Sequence, residues 1–591
     1  MPRDEYAQRL ARHKTRADLQ ARRFDRIADA RLVVFIAALV LAGSAYMSWL
    51  SWWFLAAPIL AFVTLVFWHG LAAGERDRAN RATGYYESAL ARLDGQWVGN
   101  GEPGTRFLDE NHPYAADLDL FGPGSVFERL CTARTPTGQA TLAAWLLAPA
   151  SADEVLARQV AVEELRPGLD LREELALLGD EVKAGVHPDA LAAWGAAPPK
   201  PVSMTVRRVA DALAVLALLT LIGWFFVGTG PLPFAVLCLV NAGLAWWWRP
   251  RVHQIVATIE RQASELDLLA DLLTRIEQEP FQAPRLLKVR DALLGEGVPP
   301  SQRIRRLAKL AGRLEVKENQ LVLPIAALML WTTRTAFAIE AWRSAEGPSI
   351  RQWLTAAGEV EALNALAAYA YENPDDPFPT LVTDQTIVEG EGLGHPLIAP
   401  DQLVRNNVAL SGDLRVLVIS GSNMSGKSTL LRTVGVNVVL ALAGAPVRAH
   451  SMRVSPVMIG ATLRVQDSLQ AGRSRFYAEI TRVRQLVDLA RKAPPLLFLL
   501  DEVFNGTNSH DRRQGAEAVV RSLVDLGALG LVTTHDLALA DIADRLGPRA
   551  ANVHFEDRLE DGLMIFDYTM RPGVVQHSNA LALMRAVGLE V

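Results

Sequence analysis

A glycine-rich loop in the C-terminal third has the residue types and spacing to hold the phosphates of a nucleotide. It fits the pattern G-x-x-x-x-G-K-[ST] with Gly421, Ser422, Asn423, Met424, Ser425, Gly426, Lys427 and Ser428. Glycines let backbone N–H groups curl around phosphate oxygens, and the helix expected from Thr429 onward adds its positive dipole end. We expect the Lys427 ammonium to neutralise the β- and γ-phosphates and the Ser428 hydroxyl to ligate Mg²⁺.

Two adjacent carboxylates follow an apolar segment. Residues 495–500 read PLLFLL and predict a buried strand that ends in Asp501 and Glu502. An acid at the carboxyl end of a parallel strand suits ligation of Mg²⁺, the role we expect for Asp501. Glu502 is placed to orient or polarise an attacking water. A further strand at 529–534 delivers His535 to the same edge, where its ring could contact the γ-phosphate or that water.

The elements that position these residues form an α/β domain. Residues 415–420 (RVLVIS) predict a buried strand directly before the glycine-rich loop, and short β-rich runs alternate with helices after residue 377. The segment 373–377 (NPDDP) breaks the preceding helical pattern and predicts a domain boundary. Upstream, residues 252–279 have the apolar spacing of one long amphipathic helix, and we expect residues 321–331 to be buried core.

Two long apolar runs lie near the N-terminus, at residues 32–50 and 52–68. Neither contains a charged residue, and each approaches the roughly 20 residues that cross a bilayer. Tryptophans at their ends resemble an interfacial belt. A membrane hairpin is therefore expected at 32–72, with a buried helical hairpin as the alternative. Residues 1–31 form a cationic helix whose arginines lie either near anionic headgroups or in solvent.

A second, weaker pair of runs occupies residues 209–227 and 232–248. It predicts another hairpin at 205–250, and a buried core hairpin remains the alternative. Arginines flank both hairpins, whereas the turns between their spans carry no charge. The positive-inside rule then places every sizeable soluble segment in the cytoplasm.

Composition excludes several classes of protein. The chain has 591 residues with a net charge of −5, 50% hydrophobic and 21% charged residues, and a mean hydropathy of +0.14. These values exclude a disordered, collagenous or fully membrane-embedded chain. Only Cys131 and Cys238 occur, which excludes a disulfide framework or a cysteine-rich zinc site. The slightly acidic balance predicts no broad basic face for nucleic acid.

Taken together, the motifs resemble those of the MutS mismatch-repair ATPases, of the ABC-type P-loop class. The resemblance rests on GSNMSGKSTLLRTVGVNVVLALAGAPVRA, on DSLQAGRSRFYAEI, on LLDEVFNGTNSHDRRQGAEAVV with the later TTHD, and on the closing YTMRPGVVQHSNALALMRAVGL. GLGHPLI resembles the loop that precedes the MutS nucleotide site, which implies a nucleotide-binding role for His395. Residues 117–165 and 342–372 resemble the beginning and end of the MutS core and lever domain.

The resemblance implies ATP and Mg²⁺ as cofactors and composite sites across a homodimer. Lys427, Ser428, Asp501, Glu502 and His535 would act from one subunit, and Ser474 would reach the partner's γ-phosphate. Its hydroxyl dipole would stabilise charge that grows during phosphoryl transfer. Ser425 stands where many members have glycine, which preserves backbone donors and alters loop flexibility.

Departures from the family pattern concern DNA. No phenylalanine is followed two positions later by glutamate, so the Phe-x-Glu wedge that mismatch readers insert into DNA is missing. The mismatch and connector domains are replaced by the membrane hairpin. DNA binding is thus implied by the family and not by particular residues.

The expected fold class is multi-domain. Membrane hairpins interrupt an α-helical core and lever domain at 73–204 and 251–373, and an α/β P-loop ATPase domain follows at 380–591. The expected function is that of a multi-pass ATPase of the bacterial cytoplasmic membrane that couples its nucleotide state to DNA binding. Alternatives are a signalling or scaffold protein with a membrane protein partner, and an ABC-type transporter component. Membrane lipid is an expected partner in each case.

Overall fold

The computed structural model describes most of the chain. The described residues are 1–183, 188–198, 202–259, 263–294, 297–315, 329–422, 424–464, 475–504, 509–535, 537–560 and 563–575. Predictions for residues 321–328 and for the closing segment beyond 575 lie outside them.

The N-terminal hairpin consists of two helices that are longer than its apolar part. Helix α1 spans Pro2–Tyr46 and helix α2 spans Ala56–Leu93, with a short 3₁₀ turn between them. The apolar halves leave large side chains exposed, among them Trp53 at 86% and Phe67 at 65%. The opposite halves reach the helical core domain, where Tyr6 and Tyr86 are fully buried. The predicted cationic helix is therefore a continuous part of α1.

The second hairpin interrupts the core domain. Helix α8 spans Met204–Ile222 and begins where the Ser203 hydroxyl accepts a hydrogen bond from the Val206 N–H. Helix α9 spans Leu232–Ile259 and contains Pro250 in its interior. Among the described residues, four helices are long and apolar enough to cross a membrane, and they are the members of these two hairpins.

The helical core domain comes from both sides of the second hairpin. Its central helix is α14 (Ile350–Glu372), which is buried along most of its length. It packs against α4 (Pro136–Leu147) and α5 (Ala152–Leu165). The other helices surround it: α3 Val126–Leu130, α4 Pro136–Leu147, α5 Ala152–Leu165, α6 Leu169–Lys183, α7 Pro188–Ala196, α10 Ala263–Gln278, α11 Pro284–Leu294, α12 Pro300–Glu315, α13 Trp331–Glu346 and α14 Ile350–Glu372.

The amphipathic segment 252–279 is helical through most of its described part, as its apolar spacing predicts. Residues 252–259 continue α9 past Pro250, and α10 covers Ala263–Gln278. Residues 260–262 lie outside the described residues.

The C-terminal domain has two sheets. A four-stranded sheet has the order β1-β5-β2-β3, and a six-stranded sheet has the order β10-β9-β4-β8-β7-β6. The strands are β1 Thr380–Leu381, β2 Val388–Leu393, β3 Asn406–Leu410, β4 Val416–Ser420, β5 Ser451–Val454, β6 Met458–Thr462, β7 Leu496–Asp501, β8 Leu529–Thr534, β9 Ala550–Glu560 and β10 Leu563–Pro572. The helices are α15 Lys427–Ala443, α16 Arg475–Ala490, α17 Ser509–Asp525 and α18 Leu537–Leu546.

The strand order of the larger sheet places the residues predicted to bind or react at one edge of that sheet. Strands β4, β8 and β7 are neighbours and run parallel, so their carboxyl ends lie side by side. Ser420 and Thr534 pair at the ends of β4 and β8, and Asp501 pairs with Thr533 at the end of β7. Helical residues upstream and an α/β sheet domain downstream agree with the predicted multi-domain class.

Candidate functional site

A cavity of about 590 Å³ opens at the carboxyl ends of β4 and β7. Open parallel sheets bind ligands at this edge. Nine of the residues predicted from sequence line this cavity: His395, Met424, Ser425, Gly426, Lys427, Ser428, Thr429, Asp501 and Glu502. The fold therefore brings together residues that lie up to 107 positions apart, from His395 to Glu502.

The glycine-rich loop connects β4 to α15 through positions that a side chain would obstruct. Gly421 has φ +152°, and a Cβ there would lie 2.9 Å from the Ser425 Oγ and 3.0 Å from the Phe555 carbonyl oxygen. Gly426 has φ +103°, in the left-handed region that favours glycine. The loop can thus turn tightly before α15, which leaves the first N–H groups of that helix facing the cavity.

Lys427 is held in the middle of the loop. Its Nζ donates to the carbonyl oxygens of Gly421, at 2.8 Å, and Ser422, at 2.7 Å, and lies 3.7 Å from the Glu502 Oε1. The side chain is 4% exposed, and burial lowers the pKa of Lys427 while Glu502 and Asp501 oppose that shift. An ammonium has three donors, and the loop carbonyls take two of them. The lysine is therefore positioned with capacity for one further acceptor.

Two serine hydroxyls in the loop are buried and have no hydrogen-bond partner among the described residues. The Ser422 Oγ and Ser425 Oγ both have this status, and Ser425 is 2% exposed. An unsatisfied buried donor costs roughly 1–3 kcal/mol. A phosphate group supplies several strong acceptor oxygens, so these hydroxyls together with Lys427 fit a bound polyphosphate. Serine in place of glycine at 425 thus adds a donor to the loop.

Thr533 joins the Asp501 carboxylate to the Glu502 backbone. Its hydroxyl accepts a hydrogen bond from the Glu502 N–H at 3.1 Å and donates one to the Asp501 Oδ1. The Glu502 Oε1 lies 3.2 Å from the His535 Nδ1, and Glu502 has φ +47°. Sequence reasoning overlooked Thr533, although the TTHD motif contained it. Asp501 and Ser428 line the same cavity, and carboxylate and hydroxyl oxygens are of the kind that Mg²⁺ prefers.

Much of the remaining lining of the cavity, here called the apolar wall, is apolar. Leu393, Ile398, Leu403, Val404 and Phe555 line it, with Gln402 and Asn406 as the polar members. His395 is 8% exposed, and its Nδ1 accepts a hydrogen bond from the Leu397 N–H at 3.3 Å. Burial, helped by the positive charge of Arg432, lowers the pKa of His395 to about 4. The ring is therefore neutral at pH 7, and this wall suits a planar, weakly polar base.

Tyr568 closes the cavity from β10. Its backbone carbonyl accepts a hydrogen bond from the Asn406 Nδ2 at 3.0 Å, and the Asn406 Oδ1 accepts one from the Met570 N–H at 2.7 Å. The ring would lie 3.1 Å from a Cβ placed on Gly426. Sequence analysis did not single out either residue, because their 162-residue separation hides the contact.

Some predicted site residues lie outside the described part of the chain. These are Asn423 and Ser474, the residue predicted to act in trans. His535 contacts Glu502 and is not among the residues lining the cavity.

The sheet, the glycine-rich loop and the carboxylates define an α/β ligand-binding domain, and comparison with known proteins identifies its class. Residues 417–590 match the family model described as MutS domain V. The C-terminal domain is therefore of the MutS domain V type.

Individual relatives agree with this assignment. The chain is 35% identical to the DNA mismatch repair protein MutS 2 of Halobacterium salinarum over 235 residues, which are 39% of this chain and 27% of that protein. It is 32% identical to the DNA mismatch repair protein MutS of Chloroflexus aurantiacus over 248 residues, 41% of this chain and 25% of that protein. With the Endonuclease MutS2 of Thermus thermophilus the identity is 34% over 203 residues, 33% of this chain and 25% of that protein. The chain thus spans about a quarter of the length of the curated relatives it matches.

Proposed function

We propose that this protein is a membrane-anchored ATPase that hydrolyses ATP with Mg²⁺ at composite sites of a homodimer. The observation that carries the proposal is one cavity lined by Lys427, Asp501, Glu502 and Ser425, whose buried hydroxyl has no hydrogen-bond partner among the described residues. The two apolar hairpins support anchoring in a bacterial cytoplasmic membrane, with the core and C-terminal domains in the cytoplasm.

Each residue of the cavity has a distinct part in the proposed hydrolysis. Lys427 and the loop N–H groups bind the β- and γ-phosphates, and Ser428 and Asp501 hold Mg²⁺, which neutralises phosphate charge. Glu502 orients the attacking water and accepts its proton, while Thr533 and His535 position that carboxylate. His395 and the apolar wall take the adenine base.

The homodimer completes the site in this proposal. Ser474 would approach the partner's γ-phosphate and stabilise the charge that develops there. Ser474→Ala should slow turnover while leaving ATP binding to the remaining residues. A S474A protein mixed with a K427A protein should regain part of the activity, because one of the two composite sites is then intact. Absence of any recovery would argue against sharing of residues between subunits.

The central test replaces Glu502 with glutamine in the full-length protein in detergent. We expect steady-state hydrolysis to fall by roughly 10²–10⁴-fold, since general-base assistance contributes that much, with ATP binding retained. Glu389→Gln, which alters a carboxylate on β2 paired with Arg453, is the matched control and should leave turnover unchanged. K427A should lose ATP binding itself. An E502Q protein with turnover within twofold of wild type would overturn the assignment.

Two processes are candidates for coupling to ATP hydrolysis, and the first is DNA binding. The MutS domain V match favours coupling of the nucleotide state to DNA binding, in a role related to mismatch repair. A gel-shift titration with homoduplex and mismatched DNA across a salt series, with and without ATP, tests this. Lack of salt-dependent binding to either DNA would remove it.

The second candidate, ATP-dependent signalling through the hairpins, is favoured by a specific set of contacts. Arg92 of α2 donates from Nη2 to the Glu372 Oε1 at 2.7 Å, and Arg129 reaches the Glu372 Oε2 at 3.4 Å. Glu372 is the last residue of α14, and its side chain is 1% exposed. The first hairpin is thereby joined to the segment that enters the C-terminal domain.

The connection continues to the nucleotide cavity. Immediately after α14, Asp376 pairs with the Arg448 Nη1 at 3.2 Å. The Arg448 N–H donates to the Asn437 Oδ1 at 2.7 Å, and the Asn437 Nδ2 donates to the Gly394 carbonyl at 2.9 Å. Gly394 precedes His395, which lines the cavity. ATP turnover compared in detergent and in vesicles tests this candidate, and equal rates together with DNA binding would favour the first.

A further inference from the structure

A second cavity, of about 200 Å³, lies at the base of the second hairpin. Its charged lining residues are Arg207 and Asp211 of α8, Arg313 of α12 and Arg334 of α13, and Trp331 is its largest aromatic member. Three guanidinium groups thus face one carboxylate. The cavity is far from neutral unless an anion enters it.

One arginine of this cavity is already neutralised. The Arg334 Nε lies 2.6 Å from the Asp211 Oδ1. Within the part of the chain that the structure describes, neither Arg207 nor Arg313 has a hydrogen bond or ion pair from its guanidinium. Among the described residues, the five N–H donors of each of these two guanidinium groups therefore have no partner and can bind an acceptor that enters the cavity.

The surrounding backbone adds to the positive potential. Arg207 and Arg334 both lie in the first turn of their helices, α8 and α13, so the positive ends of two helix dipoles face this region. Helix α13 begins without a side-chain cap, which leaves its first N–H groups available. The Trp331 Nε1 donates to the Arg313 carbonyl at 2.8 Å and holds the end of α12 against α13.

The cavity lies where the apolar stretch of the hairpin begins. Along α8 the side chains of Val209, Val215 and Leu219 are 47%, 52% and 56% exposed. On the neighbouring α9, Trp246 and Trp247 are 73% and 74% exposed, as expected for indoles at a membrane interface. A ligand in the cavity would therefore sit at the depth of lipid headgroups.

We propose that this cavity binds the phosphate of an anionic lipid headgroup. The proposal rests on the membrane embedding of the second hairpin proposed above. Basic pockets between membrane helices on the cytoplasmic side recognise such headgroups, and planar guanidinium groups bind phosphate in a bidentate manner. Trp331 provides an aromatic surface for the glycerol carbons next to the phosphate. The second hairpin is thus a lipid-selective contact as well as an anchor.

The test uses the full-length protein in detergent, titrated with short-chain phosphatidylglycerol or phosphatidylcholine and followed by native mass spectrometry. Wild type should bind phosphatidylglycerol more tightly than phosphatidylcholine. The R207Q/R313Q variant should weaken phosphatidylglycerol binding by about 25-fold, at about fivefold for each arginine. The matched control is R208Q/R306Q, which removes the same charge from exposed positions of the same two helices outside the cavity.

A second variant changes affinity in the opposite direction. Asp211→Asn removes the competing carboxylate and frees Arg334, so phosphatidylglycerol should bind more tightly than it does to wild type. Equal losses in R207Q/R313Q and R208Q/R306Q, or no gain in D211N, would overturn the proposal. Displacement of phosphatidylglycerol by equimolar inorganic phosphate would identify a free-phosphate site instead and would also overturn it.

A separate experiment tests whether the hairpins are embedded in a membrane. Retention of wild-type protein in neutral phosphatidylcholine vesicles after carbonate extraction reports whether the hairpins are embedded. The detergent titration does not depend on that result. Embedded protein without headgroup selectivity would therefore reject only the lipid site, and unembedded protein would reject the anchor.

Discussion

The two hairpins have similar apolar spans but are joined to the rest of the protein in different ways. In the first, α1 and α2 extend well beyond their apolar halves and bury Tyr6 and Tyr86 against the core domain. Its Arg92 meets Glu372, whose side chain is 1% exposed. In the second, the corresponding ion pair joins Arg334 and Asp211, which are 33% and 57% exposed.

The difference concerns where the cations find their partners. Arg9 and Arg92 of the first hairpin are paired with carboxylates of the same chain, Arg9 with Asp170 at 2.6 Å. Arg207 at the base of the second hairpin faces an open cavity. Ion pairs with carboxylates of the same chain make the first hairpin a rigid extension of the core domain. An arginine that faces a cavity, as in the second hairpin, suits contact with an external anion. Two hairpins with similar apolar segments thus differ in their contacts: the first is joined to the core domain, and the second is open to an external anion.

The largest effect that distinguishes the hairpins is expected at Glu372. Glu372→Ala leaves Arg92 and Arg129 buried without a carboxylate, which should lower the free energy of unfolding by about 3–5 kcal/mol. Thermal unfolding of the full-length protein in detergent should show a clear fall in Tm. The double variant R92A/E372A should recover part of the loss, since it removes one of the unpaired charges.

Asp488→Ala is the matched control for this prediction. Asp488 is 51% exposed and pairs with Arg491 at 3.2 Å on the surface of the C-terminal domain, so its loss should cost less than about 1 kcal/mol. An E372A protein as stable as D488A would show that the first hairpin is not anchored through this charge.

An intermediate effect is expected at His395, where the contacts leading from the first hairpin reach the nucleotide cavity. Burial lowers the pKa of His395 to about 4, below its ordinary value of 6.5. Between these values the unfolded chain binds the proton more readily than the folded one, so stability falls as the pH drops from about 6.5 to 4. The loss from this group reaches at most about 1.4 kcal/mol per pH unit.

The variant His395→Gln removes this titration while keeping a polar side chain. The Tm of wild type should fall more steeply than that of H395Q between pH 6.5 and 4.5, and the two slopes should agree above pH 7. Parallel curves over the whole range would show that His395 is not held neutral by its surroundings.

Local patterns were sufficient to predict the glycine-rich loop and its flanking strands. The loop spacing, the apolar run before Asp501 and the run before His535 each lie within a few residues, and strand β8 matches the predicted 529–534. Since parallel strands deliver their carboxyl ends to one edge, strand positions alone predicted that Lys427 and Glu502 would be neighbours.

Contacts between distant segments could not be predicted in this way. Arg92 and Glu372 are 280 residues apart, and no periodicity marks either as buried. The apolar wall of the larger cavity is assembled from β2, the β2–β3 connection and β9, whose apolar side chains look like ordinary core in the sequence. Likewise, apolar runs predicted the hairpins, while the extension of α1 and α2 into the core depended on tertiary packing around Tyr6.

The smallest effect is expected at the ion pair of the second hairpin. Asp211→Asn should lower the free energy of unfolding by less than about 1 kcal/mol, because both partners are partly exposed and solvent replaces the lost charge. The difference from wild type should shrink further in 1 M salt, where screening weakens the pair in both proteins. If D211N were as destabilised as E372A, the second hairpin would be held by its charges as firmly as the first. The unequal attachment of the two hairpins would then no longer explain why one keeps unpaired arginines at its base.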